Sequence, residues 1–220
     1  RLSDIVSSRA NMKKKVLIIV DVQNDFCPGG SLAVADGEKI ISNINLLSNS
    51  GLFDMIIASQ DWHPADHISF ASQHAGKRSF ETIVVDYGTQ TLWPDHCVQG
   101  THGADFHPRL DQKPIHFIVR KGYRKNVDSY SAFLENDRII STKLSKLIEP
   151  YDFEVHIVGI ATDVCVFNTA IDAMSYGVVT DGKVFVIEDA CAGVTPGGTE
   201  KALEQLIRVG VRLIKTNRLA

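Results

Sequence analysis

Three residues of complementary chemistry each follow an apolar run that predicts a strand: Asp21, Lys121 and Cys165. A thiol attacks a carbonyl carbon when a base takes its proton and a nearby cation favours the thiolate. Asp21 is the candidate base and Lys121 the candidate cation. Each residue has an ordinary alternative, namely a turn aspartate, a surface lysine or a cysteine that packs as a small hydrophobic residue. Together they predict nucleophilic catalysis by Cys165.

The neighbours of Cys165 predict the end of a strand and the start of a helix. The apolar run 155–160 has the composition of a buried strand, and apolar residues then recur at helical spacing up to Gly177. Thr162 and Asp163 are residue types that cap helices. Cys165 is therefore expected in the first helical turn, where the positive end of the helix would lower the pKa of its thiol.

A second pattern combines carboxylate and imidazole side chains. Asp61 and His63 form an Asp-x-His pair, and residues two apart on an extended chain project to the same side. His67 and His96 are candidates for further ligands of the same cation. Oxygen and imidazole ligands suit zinc, iron or manganese better than calcium. The Asp-x-His spacing is common by chance, so it carries little weight alone.

The positions of these residues depend on a predicted series of strands and helices. Apolar runs predict six main strands at 15–20, 55–59, 115–119, 155–160, 183–187 and 211–214, and a short strand at 83–85. Apolar residues at helical spacing predict intervening helices that end near Gly51, Pro150, Gly177 and Gly210, the first with Asp36 as its cap. The alternation predicts an α/β fold with three α/β/α layers and a six-stranded, mostly parallel sheet.

The predicted sheet has the strand order 3-2-1-4-5-6. In such a sheet the ligand crevice lies outside the carboxyl ends of the strands, where the strand order reverses. Because the candidate residues follow the first four strands, they are expected to surround one pocket. We expect a single domain over residues 1–220, with 1–12 as a poorly structured lead-in.

Composition restricts the function classes. The net charge is −3 and the sequence has no long basic block, which gives no support to nucleic acid or an anionic membrane as a partner. No apolar stretch approaches the length of a membrane span. The four cysteines form no Cys-x-x-Cys pair. A disulfide framework is not expected in a chain of this size, so a reducing cytoplasm is the expected location.

Five ordered blocks carry a family resemblance. They are VDVQNDFCPGGSL (20–32), DWHPADHISF (61–70), WPDHCVQGTHGADF (93–106), KG (121–122) and GIATDVCV (159–166). The chain resembles the nicotinamidase/pyrazinamidase branch of the isochorismatase-like cysteine hydrolases from about residue 15 to 216. The segment 122–137 matches the family only loosely. The resemblance implies an isochorismatase-like fold.

The resemblance also assigns roles to the candidate residues. It implies that Cys165 is the nucleophile, Asp21 the general base and later acid, and Lys121 the cation beside them. It implies one divalent transition metal, with zinc favoured and iron or manganese as alternatives. The implied ligands are Asp61, His63 and His96, with His67 as a possible fourth.

The resemblance further implies how a ligand is held. A cis peptide bond at Ile160–Ala161 would let the backbone N–H groups of Ala161 and Cys165 form an oxyanion hole. Three aromatic side chains would form the walls around a flat pyridine ring: Phe26, Trp93 and Tyr130. Ordinary core packing is the alternative for these three residues.

The implied reaction is hydrolysis of nicotinamide to nicotinate and ammonia through a thioester, in NAD salvage. A homo-oligomer and activity on pyrazinamide are left open. An isochorismatase would lack a cysteine at position 165, and a metal-free amidohydrolase would not need Asp61, His63 and His96. A binding scaffold would be expected to lose one of the three catalytic residues, and a redox role for Cys165 lacks a neighbouring cysteine in the sequence. The sequence therefore favours nicotinamidase.

Overall fold

The computed structural model describes residues 14–175 and 183–219. Six strands form the central sheet, and two short strands form a separate hairpin. The sheet strands are β1 (Lys14–Val20), β2 (Met55–Asp61), β5 (Phe117–Lys121), β6 (Phe153–Ile160), β7 (Val184–Ala192) and β8 (Arg212–Ile214), and the hairpin strands are β3 (Thr82–Val85) and β4 (Gly88–Thr91). The predicted lead-in 1–12 and the helix end near Gly177 lie outside the described residues.

The sheet has the order β5-β2-β1-β6-β7-β8. All five pairs of neighbouring strands are parallel. Counted along the chain, this is the predicted order 3-2-1-4-5-6. The strand order reverses between β1 and β6, so the carboxyl ends of these two strands flank the crevice where parallel sheets bind ligands.

In the described part of the chain, four α-helices cover the sheet: α1 (Ile41–Ser48), α2 (Leu144–Ile148), α3 (Phe167–Ser175) and α4 (Pro196–Arg208). Alternate residues of β1 enter two separate apolar clusters, because successive side chains of a strand point to opposite faces. One cluster contains Ile44 of α1, and the other contains buried residues of α2, α3 and α4. The predicted three-layer architecture is confirmed.

Several predicted element boundaries were wrong. Helix α1 begins at Ile41 without a side-chain cap, and Asp36 instead pairs with Lys39 at 2.7 Å. Strand β7 continues to Ala192, because its pairing with β6 resumes beyond a register shift. Only the first strand of the hairpin was predicted, since the second, GTQT, lacks apolar alternation.

The last helix has both of the usual signals for the start of a helix. Thr195 is the N-cap of α4, and its Oγ1 accepts a hydrogen bond from the Gly198 N–H at 3.0 Å. Pro196 occupies the first helical position, where a missing N–H costs nothing.

Within the two described ranges, no helix is long and apolar enough to cross a bilayer.

Candidate active site

The structure brings the three candidate catalytic residues together around one ammonium group. Lys121 Nζ lies 2.8 Å from Asp21 Oδ2 and 3.5 Å from Cys165 Sγ. The same nitrogen lies 2.6 Å from Asp61 Oδ1 and donates to the carbonyl oxygen of Ser129 at 2.8 Å. The Lys121 and Asp21 side chains are fully buried. Four acceptors therefore hold a charge that has no access to water.

The ends of three strands position this cluster. Asp21 directly follows β1 and has a φ of 50°, while Lys121 is the last residue of β5. Asp61 is likewise the last residue of β2. The sequence had placed it just beyond the strand. Gly122 then turns the chain with a φ of 64°, and a Cβ there would lie 2.4 Å from the ring of His63. Only glycine fits at position 122, because a Cβ there would clash with that ring.

Cys165 lies in a π-helical turn, Thr162–Val166, between β6 and α3. The predicted caps are not used there: no side chain caps this turn, and Asp163 instead accepts hydrogen bonds from the Val194 N–H at 2.8 Å and the Thr195 N–H at 3.3 Å. Asp163 therefore ties the loop before α4 to the turn that carries Cys165. Single π-helical turns occur frequently at functional sites.

The electrostatics of the cluster differ from the prediction at the thiol. Burial raises the pKa of Cys165 well above its ordinary value, and the neighbouring Lys121 offsets this only in part. The expected lowering of the thiol pKa by the helix end was wrong, because burial raises this pKa by more than Lys121 lowers it. Cys165 therefore rests as a thiol, and its proton must leave when the thiolate is needed.

Asp21 is suited to receive that proton. Burial raises the pKa of Asp21, and Lys121 lowers it by less. Burial disfavours the charge on Lys121 too, but Asp21 and Asp61 outweigh it and hold the Lys121 pKa well above its ordinary value. A carboxylate with a raised pKa accepts and returns protons more readily near neutral pH.

Two residues that sequence reasoning missed hold the carboxylates in place. Ser59 Oγ donates to Asp21 Oδ1 at 2.7 Å. Gln23 bonds the backbone of Asp61 on both sides, since its Nε2 donates to the Asp61 carbonyl and its Oε1 accepts from the Asp61 N–H, each at 2.8 Å. Ser59 could have been found, because it lies two residues before Asp61 on the same strand face.

The predicted ligands Asp61, His63 and His96 form one buried group. Their candidate ligand atoms lie within 4.8 Å of one another. His63 Nδ1 lies 2.7 Å from the Gly122 carbonyl oxygen, and His96 Nδ1 lies 2.7 Å from the Pro94 carbonyl oxygen. A carbonyl oxygen only accepts, so both Nδ1 atoms carry the hydrogen and each Nε2 is available as a ligand.

These Nε2 atoms face a carboxylate. Asp61 Oδ2 lies 3.5 Å from His63 Nε2 and 3.8 Å from His96 Nε2. Burial, together with the neighbouring His63, lowers the pKa of His96 to about 4, so His96 is neutral near pH 7. Two imidazole nitrogens and one carboxylate are a donor set that zinc binds. The residues present therefore fit a divalent transition metal.

His67 lies beside this group but not within it. Its ring stacks on His63 with centroids 4.2 Å apart, and its Nδ1 lies 2.7 Å from Ser69 Oγ. It belongs to a second possible ligand group, with His63 and Asp128. Burial lowers the pKa of His67 to about 4. Its role as a fourth ligand stays a prediction.

An aromatic cavity opens onto the cluster. It is partly open to solvent, and Cys165 and Ala161 lie in its wall. The predicted wall residues Phe26, Trp93 and Tyr130 all line it. Trp93 and Tyr130 contact each other edge to face, with centroids 6.2 Å apart. The Ile160–Ala161 peptide bond is cis, as the resemblance implied.

Asp128 also lines this cavity, and sequence reasoning missed it. Its Oδ2 accepts from Gln90 Nε2 at 2.9 Å, and its Oδ1 accepts from the Ser129 N–H at 2.8 Å. The polar segment around Asp128 has no periodicity that would reveal it. Gln90, on β4, was missed for the same reason.

The fold and the site define a class: a three-layer α/β protein with a buried aspartate, lysine and cysteine at the carboxyl ends of its strands. Residues 15–218 match the model of the isochorismatase domain. The chain belongs to the isochorismatase family.

Named relatives narrow the comparison. The chain is 49% identical to a nicotinamidase of Acinetobacter baylyi over 92% of this chain and 93% of that protein. A solved nicotinamidase/pyrazinamidase structure from Acinetobacter baumanii has a TM-score of 0.89 at 47% identity and covers 96% of this chain and 100% of that one. A pyrazinamidase of Pyrococcus horikoshii, solved in complex with zinc, has a TM-score of 0.72 at 33% identity. The match covers 92% of this chain and 99% of that one.

Proposed function

We propose that this protein is a nicotinamidase, which hydrolyses nicotinamide to nicotinate and ammonia in NAD salvage. The observation that carries the proposal is the contact of Lys121 with both Asp21 and Cys165 beside an aromatic cavity. The nicotinamidase relatives support the choice of amide. We treat the chain as one hydrolase domain, which the extent of the family match supports.

In the first half of the reaction, Asp21 takes the proton of Cys165 as the sulfur attacks the amide carbon. The raised pKa of the Cys165 thiol supports a proton transfer that accompanies attack rather than a stable thiolate. The new C–S bond places a negative charge on the carbonyl oxygen, for which the backbone N–H groups of Ala161 and Cys165 are the proposed donors. The C–N bond then breaks, and Asp21 gives its proton to the leaving ammonia.

In the second half, water hydrolyses the thioester. Asp21 takes a proton from the attacking water, the C–S bond breaks, and that proton returns to the sulfur. The product leaves as the carboxylic acid, which loses the second proton of the water to solvent and becomes nicotinate. Lys121 stays charged throughout. Its contacts with Asp21 and Asp61 stabilise both carboxylates in one buried pocket. Ser59 donates to Asp21 Oδ1 and Lys121 Nζ lies 2.8 Å from Oδ2, so the chain positions both oxygens of the proposed proton carrier.

We propose that Asp61, His63 and His96 hold one divalent transition metal, with zinc favoured. The convergence of Asp61 Oδ2 with two imidazole Nε2 atoms supports this set, as does the zinc complex of the similar pyrazinamidase. A bound metal would supply a Lewis acid that can orient a ring nitrogen. Phe26, Trp93 and Tyr130 are the proposed walls for that flat ring.

The proposed setting is a cytoplasmic enzyme with a small-molecule substrate. All four cysteines are free thiols in the structure, which supports a reducing compartment. The net charge of −3 gives no support to nucleic acid or an anionic membrane as a partner. A homo-oligomer remains compatible with this function.

The deciding experiment is ammonia release from nicotinamide by the purified protein, with pyrazinamide and benzamide as comparison amides. We expect rapid release from nicotinamide and slow release from benzamide, whose ring lacks nitrogen. Absence of ammonia release from nicotinamide in protein loaded with zinc, iron or manganese would refute the proposal.

A further inference from the structure

Two tyrosines share one hydrogen-bond network at the edge of the cavity, and Gln90 is its centre. Gln90 Nε2 lies 2.7 Å from the Thr91 carbonyl oxygen, 2.9 Å from Asp128 Oδ2 and 3.1 Å from Tyr130 Oη. Gln90 Oε1 accepts from Tyr87 Oη at 2.9 Å. The direction of each bond in this network can be assigned from the chemistry of its atoms.

The orientation of the Gln90 amide is fixed by atoms that cannot donate. The Thr91 carbonyl oxygen only accepts, as does an ionised Asp128 carboxylate. A flipped amide would place Oε1 against both of these oxygens, so the nitrogen must face them. An amide nitrogen donates and does not accept. The two hydrogens of Gln90 Nε2 face the two nearer oxygens, those of Thr91 and Asp128, and the nitrogen cannot accept the hydrogen of Tyr130 Oη.

Both the hydrogen and the oxygen of the Tyr87 hydroxyl group have partners within the chain. Its hydrogen goes to Gln90 Oε1, and its oxygen accepts from the Asp128 N–H at 3.2 Å. Tyr87 is absent from the cavity wall. Its hydroxyl group is thus fully hydrogen-bonded within the chain, and its role is structural.

Tyr130 differs, because neither nitrogen beside its hydroxyl group can accept a hydrogen bond. Its Oη accepts from Trp93 Nε1 at 3.3 Å and lies 3.1 Å from Gln90 Nε2. An indole nitrogen donates only, so neither partner can take the tyrosine hydrogen. Among residues 14–175 and 183–219, no acceptor is recorded for that hydrogen. Burial raises the pKa of Tyr130 well above its ordinary value, so the hydroxyl stays protonated.

The unmatched hydrogen belongs to a side chain that lines the cavity with Cys165 and Trp93. We propose that the Tyr130 hydroxyl donates a hydrogen bond to an acceptor atom of the bound heteroaromatic carboxamide, either its carbonyl oxygen or, if no metal occupies the single lone pair there, its ring nitrogen. Tyr130 then determines specificity in addition to forming an aromatic wall. This inference rests on the proposed nicotinamidase function.

The energetic consequence is selectivity among ligands of the same shape. A buried donor that a ligand leaves without an acceptor loses its hydrogen bonds to water without replacement. Sites that are built to bond a polar atom reject analogues that lack it more strongly than apolar sites do. Tyr130 should therefore favour ligands that carry the matching acceptor over plain aromatic rings.

The test compares Tyr130→Phe with Tyr87→Phe, both in the Cys165→Ala background so that no ligand is consumed. Dissociation constants are measured by NMR titration for nicotinamide, for benzamide, which lacks the ring nitrogen, and for 3-methylpyridine, which lacks the carboxamide. We expect Tyr130→Phe to weaken nicotinamide binding about 3- to 10-fold, the range for one neutral hydrogen bond. Tyr87→Phe should change it by less than about 2-fold, since its hydroxyl meets no ligand.

The two fragments identify the acceptor. A loss for benzamide without a loss for 3-methylpyridine assigns the carbonyl oxygen, and the reverse pattern assigns the ring nitrogen. Each loss is a ratio between variant and parent, so a contribution that both proteins make to binding, such as that of a metal, cancels.

Three results would overturn the inference: unchanged nicotinamide binding in Tyr130→Phe, an equal loss in Tyr87→Phe, or an equal loss for both fragments, which would indicate a displaced wall. If the protein with Cys165 intact releases ammonia from nicotinamide in spite of such a result, the proposed function stands and only the Tyr130 assignment fails. If nicotinamide is neither bound nor hydrolysed, both fail. Binding with the Tyr130 effect but without hydrolysis refutes the function alone.

Discussion

Asp61 belongs to two buried clusters that differ in whether the chain itself satisfies their polar atoms. Its Oδ1 contacts Lys121, whose ammonium group also contacts Asp21, Cys165 and the Ser129 carbonyl oxygen. In this Lys121 cluster one cation faces two carboxylates and two further acceptors. Each of the two carboxylates thus contacts a cation that the chain itself supplies.

The other oxygen of Asp61 belongs to the His63–His96 cluster, whose other members are imidazoles. Asp61 Oδ2 faces two imidazole nitrogens at 3.5 and 3.8 Å, and His96 is neutral near pH 7. Burial lowers the pKa of His63, but Asp61 outweighs it and raises that pKa, so a metal would take the place of a proton there. The difference supports the proposal that a metal completes the His63–His96 cluster, whereas Lys121 completes its own cluster from within the chain. Substitutions should therefore separate chemistry, folding and metal binding.

The largest expected effect comes from Cys165→Ala, which removes the nucleophile and little volume. We expect ammonia release from nicotinamide to fall by about 10⁴-fold or more, since loss of a nucleophile removes the whole covalent route. Metal content should stay at the wild-type level, because Cys165 is not among Asp61, His63 and His96. Near-normal turnover in Cys165→Ala would exclude the thioester route, and loss of metal would show that the two clusters are not separable.

Lys121→Met should have the next largest effect, on folding as well as on catalysis. It leaves Asp21 and Asp61 buried without their cation, and breaking a buried ion pair costs about 3–5 kcal/mol. We expect the free energy of unfolding, measured by urea titration, to fall by that amount. The exposed Lys113 provides the control, and Lys113→Met should unfold like the wild type. Equal midpoints for the two variants would contradict a central role for Lys121 in the buried charge balance.

His96→Ala tests the His63–His96 cluster, and its effect should be on metal rather than on folding. We expect metal affinity to fall by about 100-fold or more, because losing a residue that merely orients a ligand already costs about 10- to 100-fold. KM for nicotinamide should rise, whereas the urea midpoint of metal-free protein should shift little.

His102→Ala is the matched control, since His102 is exposed in the same long connection between β2 and β5. It should keep about one metal per chain, which follows from a single ligand set. Metal content in His96→Ala that equals the content in His102→Ala would remove His96 from the ligand set.

The part of the site that lies at strand ends could be predicted from the sequence. Apolar runs located the strands, and the rule for parallel sheets brought Asp21, Lys121 and Cys165 into one pocket before any distance was known. The family resemblance then assigned His96 as a metal ligand and added the wall residues. Strand ends are predictable because one residue of error along a strand still leaves the side chain at the same edge of the sheet.

The contacts that tune the site could not be predicted in this way. Gln90 and Asp128 lie in segments without periodicity, and their bonds join residues that are far apart in sequence. The raised pKa of the Cys165 thiol was missed because the argument from the helix end ignores burial, which depends on the whole fold. Protonation states therefore required the structure.

His156 is a further buried group that the sequence did not single out, and it lies outside both clusters. It occupies a central position in β6, is 1% exposed, and stacks on Phe185 with ring centroids 4.6 Å apart. Burial lowers its pKa to about 4 from an ordinary value of 6.5. It therefore has the same pKa as His96 without a metal-binding neighbour, and it can separate the effect of burial from that of the site.

The sign of its pH effect follows from linkage. A histidine whose pKa is lowered in the folded state stays neutral there, while the unfolded chain binds a proton below pH 6.5. Its contribution to stability is complete above pH 6.5 and is lost as the pH falls towards 4. Between pH 7.5 and 5.5 this one group should cost about 1.4 kcal/mol, close to one pKa unit of free energy.

His156→Leu should remove that cost. Urea unfolding of the metal-free wild type and variant at pH 7.5 and 5.5 measures it as a difference of differences, so a uniform change in packing cancels. His67 and His96 are unchanged in the variant, so their own acid sensitivity remains and only the share of His156 disappears. Equal losses between the two pH values in both proteins would mean that His156 binds its proton equally well in the folded and unfolded states. The loss of stability at low pH would then have to come from the imidazoles around Asp61. Histidines inside and outside the site would differ in proton binding although both are buried.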